Sequence, residues 1–199
     1  MRIFFLGGTF DPPHLGHLAI AKKCLEHKHC DRFIFIPSKQ NPTKSSPYFS
    51  DFDRSYMLNI MYSDMSDSFQ KNTIIDLFEV ESGDKVNYSI NTIKYLLKEY
   101  NPTSLYMVIG QDLLPNLKEW KEWEQIKKMV KIVCINRPGY EYVSDIDISI
   151  KFDNISMDID STLIRDKIES KDFTFSSVKG LIPTGICKYI LSHKNHKNI

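Results

Sequence analysis

Two kinds of apolar pattern alternate along this chain. Short continuous apolar runs are typical of buried strands, and they lie at residues 3–6, 32–37, 73–80, 105–109 and 132–135. In the segments between these runs, apolar residues recur at helical spacing, as in Leu18, Ala21 and Leu25. The pattern therefore predicts strands and helices in alternation.

Local signals place the ends of several predicted helices. Ser50 and Asp53 have the spacing of a capping box, which marks the start of a helix. Asn101-Pro102 marks the end of another helix, because proline cannot continue one. Two further helices are predicted near the C-terminus, at residues 161–169 and 183–192.

The alternation predicts an α/β fold with a Rossmann-like, doubly wound parallel sheet. We expect residues 1–199 to form one domain, with a helical C-terminal part at about 159–193 and a frayed tail at 194–199. In such sheets, ligands bind beyond the carboxyl ends of the strands, where the strand order reverses. The segments that follow strands are therefore the expected places for chemistry.

The segment after the first strand, GGTFDPPHLGH at residues 7–17, is the most informative in the chain. Its glycines and the following helix start present backbone N–H groups and a positive dipole end, which suit an anion. His14 and His17 lie at that helix start, and at this spacing both imidazoles can reach one phosphate chain. Taken separately, the glycines could serve only a tight turn and the histidines could be unrelated polar residues. These explanations do not account for the ordered string between a strand and a helix. The segment therefore predicts a phosphate site.

This string resembles the HxGH signature of the nucleotidyltransferase superfamily. Its longer form, GGTFDPPHxGH, is similar to that of the bacterial nicotinate-mononucleotide adenylyltransferases. The resemblance implies the nucleotidyltransferase fold and a catalytic role for His14 and His17, which would donate hydrogen bonds to the phosphates of ATP. It implies an ATP site that also contains Gly7, Gly8, Thr9 and Phe10.

Two middle segments extend the resemblance. Gly110-Gln111-Asp112 matches a GxD of the family. The match implies that Gly110 and Asp112 contact ATP and that Asp112 also contacts the second substrate. On the residues alone, Asp112 is equally a helix N-cap. Asn87-Tyr88-Ser89 stands where the family has Ser-Tyr-Thr. This implies that Tyr88 and Ser89 contact the substrate, with the Ser89 backbone N–H on the nicotinate carboxylate. The alternative is helix capping by Asn87 or Ser89.

Trp120, Trp123 and Lys44 complete the predicted substrate side. The resemblance implies that Trp120 stacks on the pyridine ring, while Trp123 is assigned to the core. Lys44 is retained from the family's PxxxPPHK loop and would contact a phosphate, whereas Asn41 and Thr43 depart from that pattern. A lysine in a polar loop can equally be a solvated side chain.

The segment IDSTLIR at residues 159–165 resembles the family's ISSTxIR. The resemblance implies that Ser161, Thr162 and Arg165 hold the β- and γ-phosphates of ATP, with Arg165 among the catalytic residues. Taken alone, the segment would be a helix N-cap followed by a surface arginine. Asp160 replaces a serine of the family and is either turned away from the phosphates or helps to hold a metal ion.

Composition adds limits rather than a function. A net charge of +1 gives no global attraction to nucleic acid or to a membrane, so phosphate recognition must be local. No apolar run approaches the length of a membrane span, and a cytoplasmic protein is expected. The four cysteines contain no CxxC pair and are expected as buried thiols. Cys24, His27, His29 and Cys30 cannot all converge from one helix, so no protein metal site is predicted.

The combined prediction is an adenylyltransferase of NAD biosynthesis. It would transfer AMP from ATP to nicotinate mononucleotide and form deamido-NAD and pyrophosphate, with Mg²⁺ brought by ATP. Its expected partners are these small molecules, without nucleic acid or membrane. The alternatives are an enzyme of the same fold that acts on nicotinamide mononucleotide or phosphopantetheine, and a nucleotide-binding module without turnover.

Overall fold

The computed structural model describes residues 1–40, 46–83, 86–136, 145–153, 155 and 159–194. Within them, six parallel strands form one sheet in the order β3-β2-β1-β4-β5-β6. The strands are β1 (Arg2–Gly8), β2 (Arg32–Pro37), β3 (Thr73–Ile75), β4 (Ser104–Gly110), β5 (Lys131–Ile135) and β6 (Ile148–Phe152).

Helices connect the strands, as the alternation predicts. They are α1 (Leu15–Leu25), α2 (Asp51–Ser63), α3 (Asp67–Gln70), α4 (Phe78–Glu81), α5 (Ser89–Tyr100), α6 (Trp123–Met129), α7 (Ser161–Glu169) and α8 (Thr184–Lys194). Two 3₁₀ helices, Gln111–Glu119 and Phe175–Val178, accompany them. In the described residues, no helix combines the length and the apolar character of a membrane span.

The central strands are continuous apolar runs because both faces of the sheet are covered. On one face, Phe4 and Phe33 belong to a core that also contains Met57 of α2 and Ile164 of α7. On the other face, the alternate strand residues, such as Ile3 and Ile34, pack with α5 and α6 through a second core. The predicted α/β fold and parallel sheet are thus confirmed. The four cysteines are free, and all but the half-buried Cys30 are buried, as predicted.

The helix signals at Ser50 and Asn101 are also confirmed. The Ser50 hydroxyl accepts the Asp53 N–H at 3.1 Å, and the Asp53 carboxylate accepts the Ser50 N–H at 3.2 Å. At the end of α5, Asn101 has φ of 42°, a left-handed conformation that asparagine tolerates at a helix end.

The prediction of a strand at 73–80 is wrong beyond Ile75. The Asp76 carboxylate accepts the Phe78 N–H at 2.9 Å, which turns the chain into α4. It also accepts the hydroxyls of Tyr95 at 3.2 Å and Tyr100 at 2.7 Å. An aspartate inside an apolar run therefore ended the strand early.

The sequence prediction missed β6, at the edge of the sheet. Its signal is an alternation of apolar and polar residues, with Ile148, Ile150 and Phe152 separated by Ser149 and Lys151. Such alternation is typical of a strand with one covered face, and in β6 the polar residues are exposed.

The sheet opens between its two central strands. β1 and β4 pair as far as Phe5 and Met107. Beyond this point, Gly7 and Gly8 pair with β2, whereas Ile109 and Gly110 pair with β5. Strand order also reverses here, so the divergence creates a crevice at the carboxyl ends of β1 and β4.

Candidate functional site

The two histidines of the first motif lie against each other at the start of α1. Their ring centroids are 3.7 Å apart, with an interplanar angle of 28°. The backbone N–H of His14 donates to Nδ1 of His17 at 3.2 Å. Since a backbone N–H can only donate, Nδ1 is the acceptor, and a neutral His17 carries its proton on Nε2.

The residues around the histidines fit them closely. A Cβ at Gly16 would lie 2.9 Å from both Nδ1 and Cε1 of His14, so only glycine leaves that ring in place. The ring of Phe10, a predicted ATP contact, is buried with its centroid 4.8 Å from that of His17 in an edge-on arrangement. Phe10 thus packs against the imidazole from the core side.

The turn after β1 is held by a buried arginine of α2. Nη1 of Arg54 donates to the carbonyl oxygens of Thr9 at 2.5 Å and of Ser38 at 2.7 Å. Nη2 pairs with the Asp51 carboxylate at 2.6 Å. A buried guanidinium is stable only when its N–H groups find acceptors, and these acceptors come from the ends of β1 and β2. Arg54 thereby joins the two strand ends.

The N-terminus of α7 lies directly on the first motif. The Ser161 hydroxyl donates to the carbonyl oxygen of Pro12 at 3.1 Å, across 149 residues of sequence. Nη1 of Arg165 donates to the carbonyl oxygen of Asp11 at 2.7 Å, and its Nη2 donates to the Thr162 hydroxyl at 3.0 Å. The two segments predicted to hold phosphates are therefore in contact.

The carboxylates in this region are bound to protein donors. Asp11 is buried and accepts the N–H groups of Tyr48 at 2.7 Å and Phe49 at 2.9 Å. Asp160 accepts the Leu163 N–H at 2.7 Å and so caps α7. The Asp160 carboxylate is thus directed to the N-terminus of α7.

The other side of the crevice carries Gly110 and Asp112. Gly110 ends β4 and is the N-cap of the 3₁₀ helix, so the alternative of Asp112 as the N-cap is wrong. Asp112 lies in the first turn of that helix and is half-buried. On the β1 side, the Thr9 hydroxyl is buried without a hydrogen-bond partner among the described residues. A buried hydroxyl of this kind requires a partner from a ligand or from water.

The predicted pyridine contacts fall in adjacent segments near α5. Nζ of Lys121 lies 4.4 Å from the centroid of the Tyr88 ring, and Nζ of Lys94 pairs with Glu122 at 3.1 Å. These contacts hold the segment after Trp120 against α5, whose first residue is Ser89.

The two tryptophans belong to different elements. Trp120 follows the 3₁₀ helix and is half-buried at the edge of the core that Tyr88 also contacts. Trp123 begins α6 and is buried, which confirms its assignment to the core.

Asn87 links the loop after β2 to the start of α5. Its Oδ1 accepts the Lys39 N–H at 2.9 Å, and its Nδ2 donates to the Glu79 carbonyl oxygen at 3.3 Å. The capping alternative for Asn87 and Ser89 is wrong, because Tyr88 is the N-cap residue of α5 and makes no side-chain cap. Lys44, Asn41 and Thr43 lie outside the described residues.

Sequence reasoning missed two buried charged residues of this region, Arg54 and Glu79. Arg54 shares helical spacing with Met57, Leu58 and Met61, which placed it on the apolar face of α2. That spacing was the available signal for Arg54. Glu79 lies inside the run predicted as a strand at 73–80, and no sequence pattern indicated that its side chain is buried.

The chain is similar to known proteins over most of its length. Residues 5–167 match the family model described as cytidylyltransferase-like. A protein of Aliarcobacter butzleri named "Probable nicotinate-nucleotide adenylyltransferase" is 37% identical over 171 residues, which cover 86% of this chain and 90% of that protein. A Listeria monocytogenes protein of the same name is 34% identical over 194 residues, with 97% and 96% covered.

A solved structure shares the fold. Plasmodium falciparum nicotinic acid mononucleotide adenylyltransferase, complexed with NaAD, superposes with a TM-score of 0.82 at 18% identity. The superposition covers 96% of this chain and 95% of that chain. The likeness extends over the sheet and the helices on both of its faces.

Proposed function

The chain belongs to the nicotinate-nucleotide adenylyltransferases of the cytidylyltransferase-like family, and we propose that it transfers the adenylyl group of ATP to nicotinate mononucleotide. The products are deamido-NAD and pyrophosphate, in NAD biosynthesis. The observation that carries the proposal is the contact of the α7 N-terminus with the histidine motif at the crevice between β1 and β4. That contact gathers hydroxyl, guanidinium and imidazole donors at one edge of the sheet.

In the proposed reaction, a phosphate oxygen of nicotinate mononucleotide attacks the α-phosphorus of ATP in line. The new P–O bond forms as the bond from the α-phosphorus to the bridging oxygen breaks, and its electron pair leaves with pyrophosphate. The attacking oxygen is already anionic, so no protein base is required. The protein contributes positioning and neutralisation of the charge that develops on the leaving group.

The donors divide between the phosphates. His14 and His17 are proposed to donate to the phosphates of ATP, with His17 assigned to the α-phosphate and its bridging oxygen. Ser161, Thr162 and Arg165 hold the β- and γ-phosphates, since an arginine fork at a helix start favours anions.

The walls of the crevice complete the ATP site. Gly7, Gly8, Thr9 and Phe10 line it on the β1 side, and Gly110 and Asp112 on the β4 side. The buried Thr9 hydroxyl supports this assignment, because a ligand oxygen there would satisfy it.

Mg²⁺ is proposed to enter with ATP as part of the substrate. Among the described residues, no group of three or more potential ligands converges as a metal site. Asp11 and Asp160 are occupied with backbone donors. Phosphate oxygens and waters would complete the octahedron that Mg²⁺ prefers.

The pyridine nucleotide is proposed to bind beside α5. Trp120 stacks on the ring, Tyr88 and Asp112 contact the nucleotide, and the Ser89 backbone N–H receives the nicotinate carboxylate at the positive end of the helix dipole. A cytoplasmic location stays a prediction.

The test is release of pyrophosphate from Mg-ATP with nicotinate mononucleotide, nicotinamide mononucleotide and phosphopantetheine in parallel. We expect strong preference for nicotinate mononucleotide. Preference for either other substrate would overturn the pyridine assignments at Ser89 and Trp120. Binding of Mg-ATP without release from any substrate would overturn the enzymatic proposal in favour of a binding module.

A further inference from the structure

A buried carboxyl group lies next to α5, and the proposed reaction does not use it. Glu79 of α4 is 6% exposed. Its Oε1 accepts a hydrogen bond from the Thr92 hydroxyl. Within the described part of the chain, this hydroxyl is the one hydrogen-bond partner of the carboxyl group, which makes no ion pair. Such a carboxyl group is uncommon, since buried charges are normally paired.

The backbone fixes Glu79 in this place. Its carbonyl oxygen accepts hydrogen bonds from the Ser82 hydroxyl at 3.0 Å and from Nδ2 of Asn87 at 3.3 Å. Asn87 in turn holds the loop after β2 and precedes α5 by two residues. Glu79 is therefore tied to the start of α5 through both its backbone and its side chain.

The carboxyl group is close to the first turn of α5. Ser89 is the first residue of the helix and Thr92 is the fourth, so about 4.5 Å of helical rise separates them. Since Glu79 contacts Thr92, its carboxyl group lies within roughly 10 Å of the Ser89 N–H. That N–H is the proposed site of the nicotinate carboxylate.

Among the described residues, the charged groups on the surrounding elements provide no counter-charge for Glu79. On the β2 side, Nζ of Lys39 donates to the Ser82 carbonyl oxygen at 3.3 Å. On α5, Lys94 pairs with Glu122, and the hydroxyl of Tyr95 donates to Asp76 at the end of β3. Glu81, on α4 itself, is exposed.

The same surroundings make the charge of Glu79 sensitive to pH. Burial raises the pKa of Glu79 to about 7, against the weaker lowering by the Thr92 hydroxyl. The carboxyl group thus changes from neutral to anionic near neutral pH.

We propose that Glu79 is a specificity-determining residue that governs the preference for the acid over the amide form of the pyridine mononucleotide. This inference rests on the proposed function. A neutral Glu79 leaves the α5 N-terminus able to attract the nicotinate carboxylate. An ionised Glu79 repels that carboxylate, whereas the amide group of nicotinamide mononucleotide carries no charge to repel. The positive charge of the pyridinium ring is common to both ligands and cancels in the comparison. Two charges about 10 Å apart near a protein surface, partly screened by salt, interact by enough to change an affinity about fivefold.

The test compares two ligands in wild type and Glu79→Gln at pH 6 and pH 8.5. The quantities are KM for nicotinate mononucleotide and the inhibition constant of nicotinamide mononucleotide against it. Their ratio cancels effects on ATP and on the phosphate common to both ligands. In wild type, we expect the preference for nicotinate to fall about fivefold between the two pH values. In Glu79→Gln, the preference should stay constant at the wild-type value for pH 6.

Two variants separate this role from a structural one. Glu81→Gln removes a charge from the exposed side of the same helix and should keep the wild-type pH profile. Thr92→Val removes the hydrogen bond that favours the carboxylate, so the pH at which the preference for nicotinate is half lost should become higher. An equal loss of preference in wild type and Glu79→Gln would overturn the inference. A wild-type protein that does not use nicotinate mononucleotide would instead overturn the proposed function.

Discussion

The two ends of the crevice consist of different kinds of chemical group. The phosphate side consists of charged and polar side chains from two segments far apart in sequence, joined by direct hydrogen bonds such as Ser161 to Pro12 and Arg165 to Asp11. The proposed pyridine side consists of a helix start, half-buried aromatic rings and the buried carboxyl group of Glu79. The end of β2 lies between them, bound by Arg54 at Ser38 and by Asn87 at Lys39.

We expect the phosphate side to serve the reaction itself and the pyridine side to serve the choice of substrate. Charge-assisted donors on the phosphate side act on groups that every nucleotide substrate shares. Selection between an acid and an amide that differ by one charge requires a sensitive electrostatic environment on the pyridine side instead. Substitutions on the phosphate side should therefore lower turnover, whereas those on the pyridine side should change substrate affinity or pH dependence.

The largest effect is expected at His17. His17→Ala removes the proposed donor to the α-phosphate and should lower kcat about 10²–10³-fold, as for loss of one preorganised donor to a developing charge. The measurement is steady-state pyrophosphate release with Mg-ATP and nicotinate mononucleotide. His29→Ala is the matched control, since His29 contacts Arg2 near the amino end of β1. Undiminished turnover of His17→Ala would contradict its role.

Glu79 should make the folded state less stable as pH rises. Its folded pKa is raised to about 7 from an ordinary 4.5, so the stability that the neutral form contributes is present below pH 4.5 and is lost as pH rises through 7. Over that window, the free energy of unfolding should fall by about 3 kcal/mol in wild type relative to Glu79→Gln. Denaturant titrations at pH 4.5 and pH 8 measure this, and parallel curves for the two proteins would contradict the burial argument.

Gly16→Ala should affect turnover through His14. The new methyl group would press on the His14 ring, and displacement of that ring should lower kcat about tenfold. Gly83→Ala is the matched control, since no heavy atom beyond its chain neighbours lies within 4 Å of the added Cβ. A Gly16→Ala protein with normal kcat would show that the ring position is unimportant.

The two tryptophans should separate binding from stability. Trp120→Ala should raise KM for nicotinate mononucleotide about fivefold and leave KM for ATP unchanged, because one stacking contact is lost. Trp123→Ala should instead lower Tm, since this ring is buried in the core. An equal rise of both KM values in Trp120→Ala would exclude a specific role in the pyridine pocket.

Particular residues explain how much of this molecule could be predicted. The buried strands β1, β2, β4 and β5 were found because both of their faces are apolar, whereas the order of the strands, and with it the position of the switch point, came only from the structure. β6 was missed although its alternation was present, and the strand at 73–80 was extended too far because the Asp76 side chain turns the backbone. These errors concern one edge strand and one local hydrogen bond.

The site was predicted less completely than the fold. The motif at 7–17 and the segment at 159–165 were recognised by their residues, but the bonds that join them depend on the whole tertiary structure. Glu79 could not be assigned from one sequence, because a charged residue is usually solvated and its burial depends on distant segments. For Arg54, the helical spacing with the apolar face of α2 was the one available signal. The stacking of His14 on His17 likewise follows only from the capped helix start.

The central claim is direct transfer of AMP between two small molecules, and the most direct measurement follows ATP radiolabelled at the α-phosphate. Incubated with Mg²⁺ and nicotinate mononucleotide, the protein should move the label into deamido-NAD in a one-to-one ratio with released pyrophosphate, and no label should remain on the protein. Labelled protein, or label recovered only as free AMP, would contradict the account.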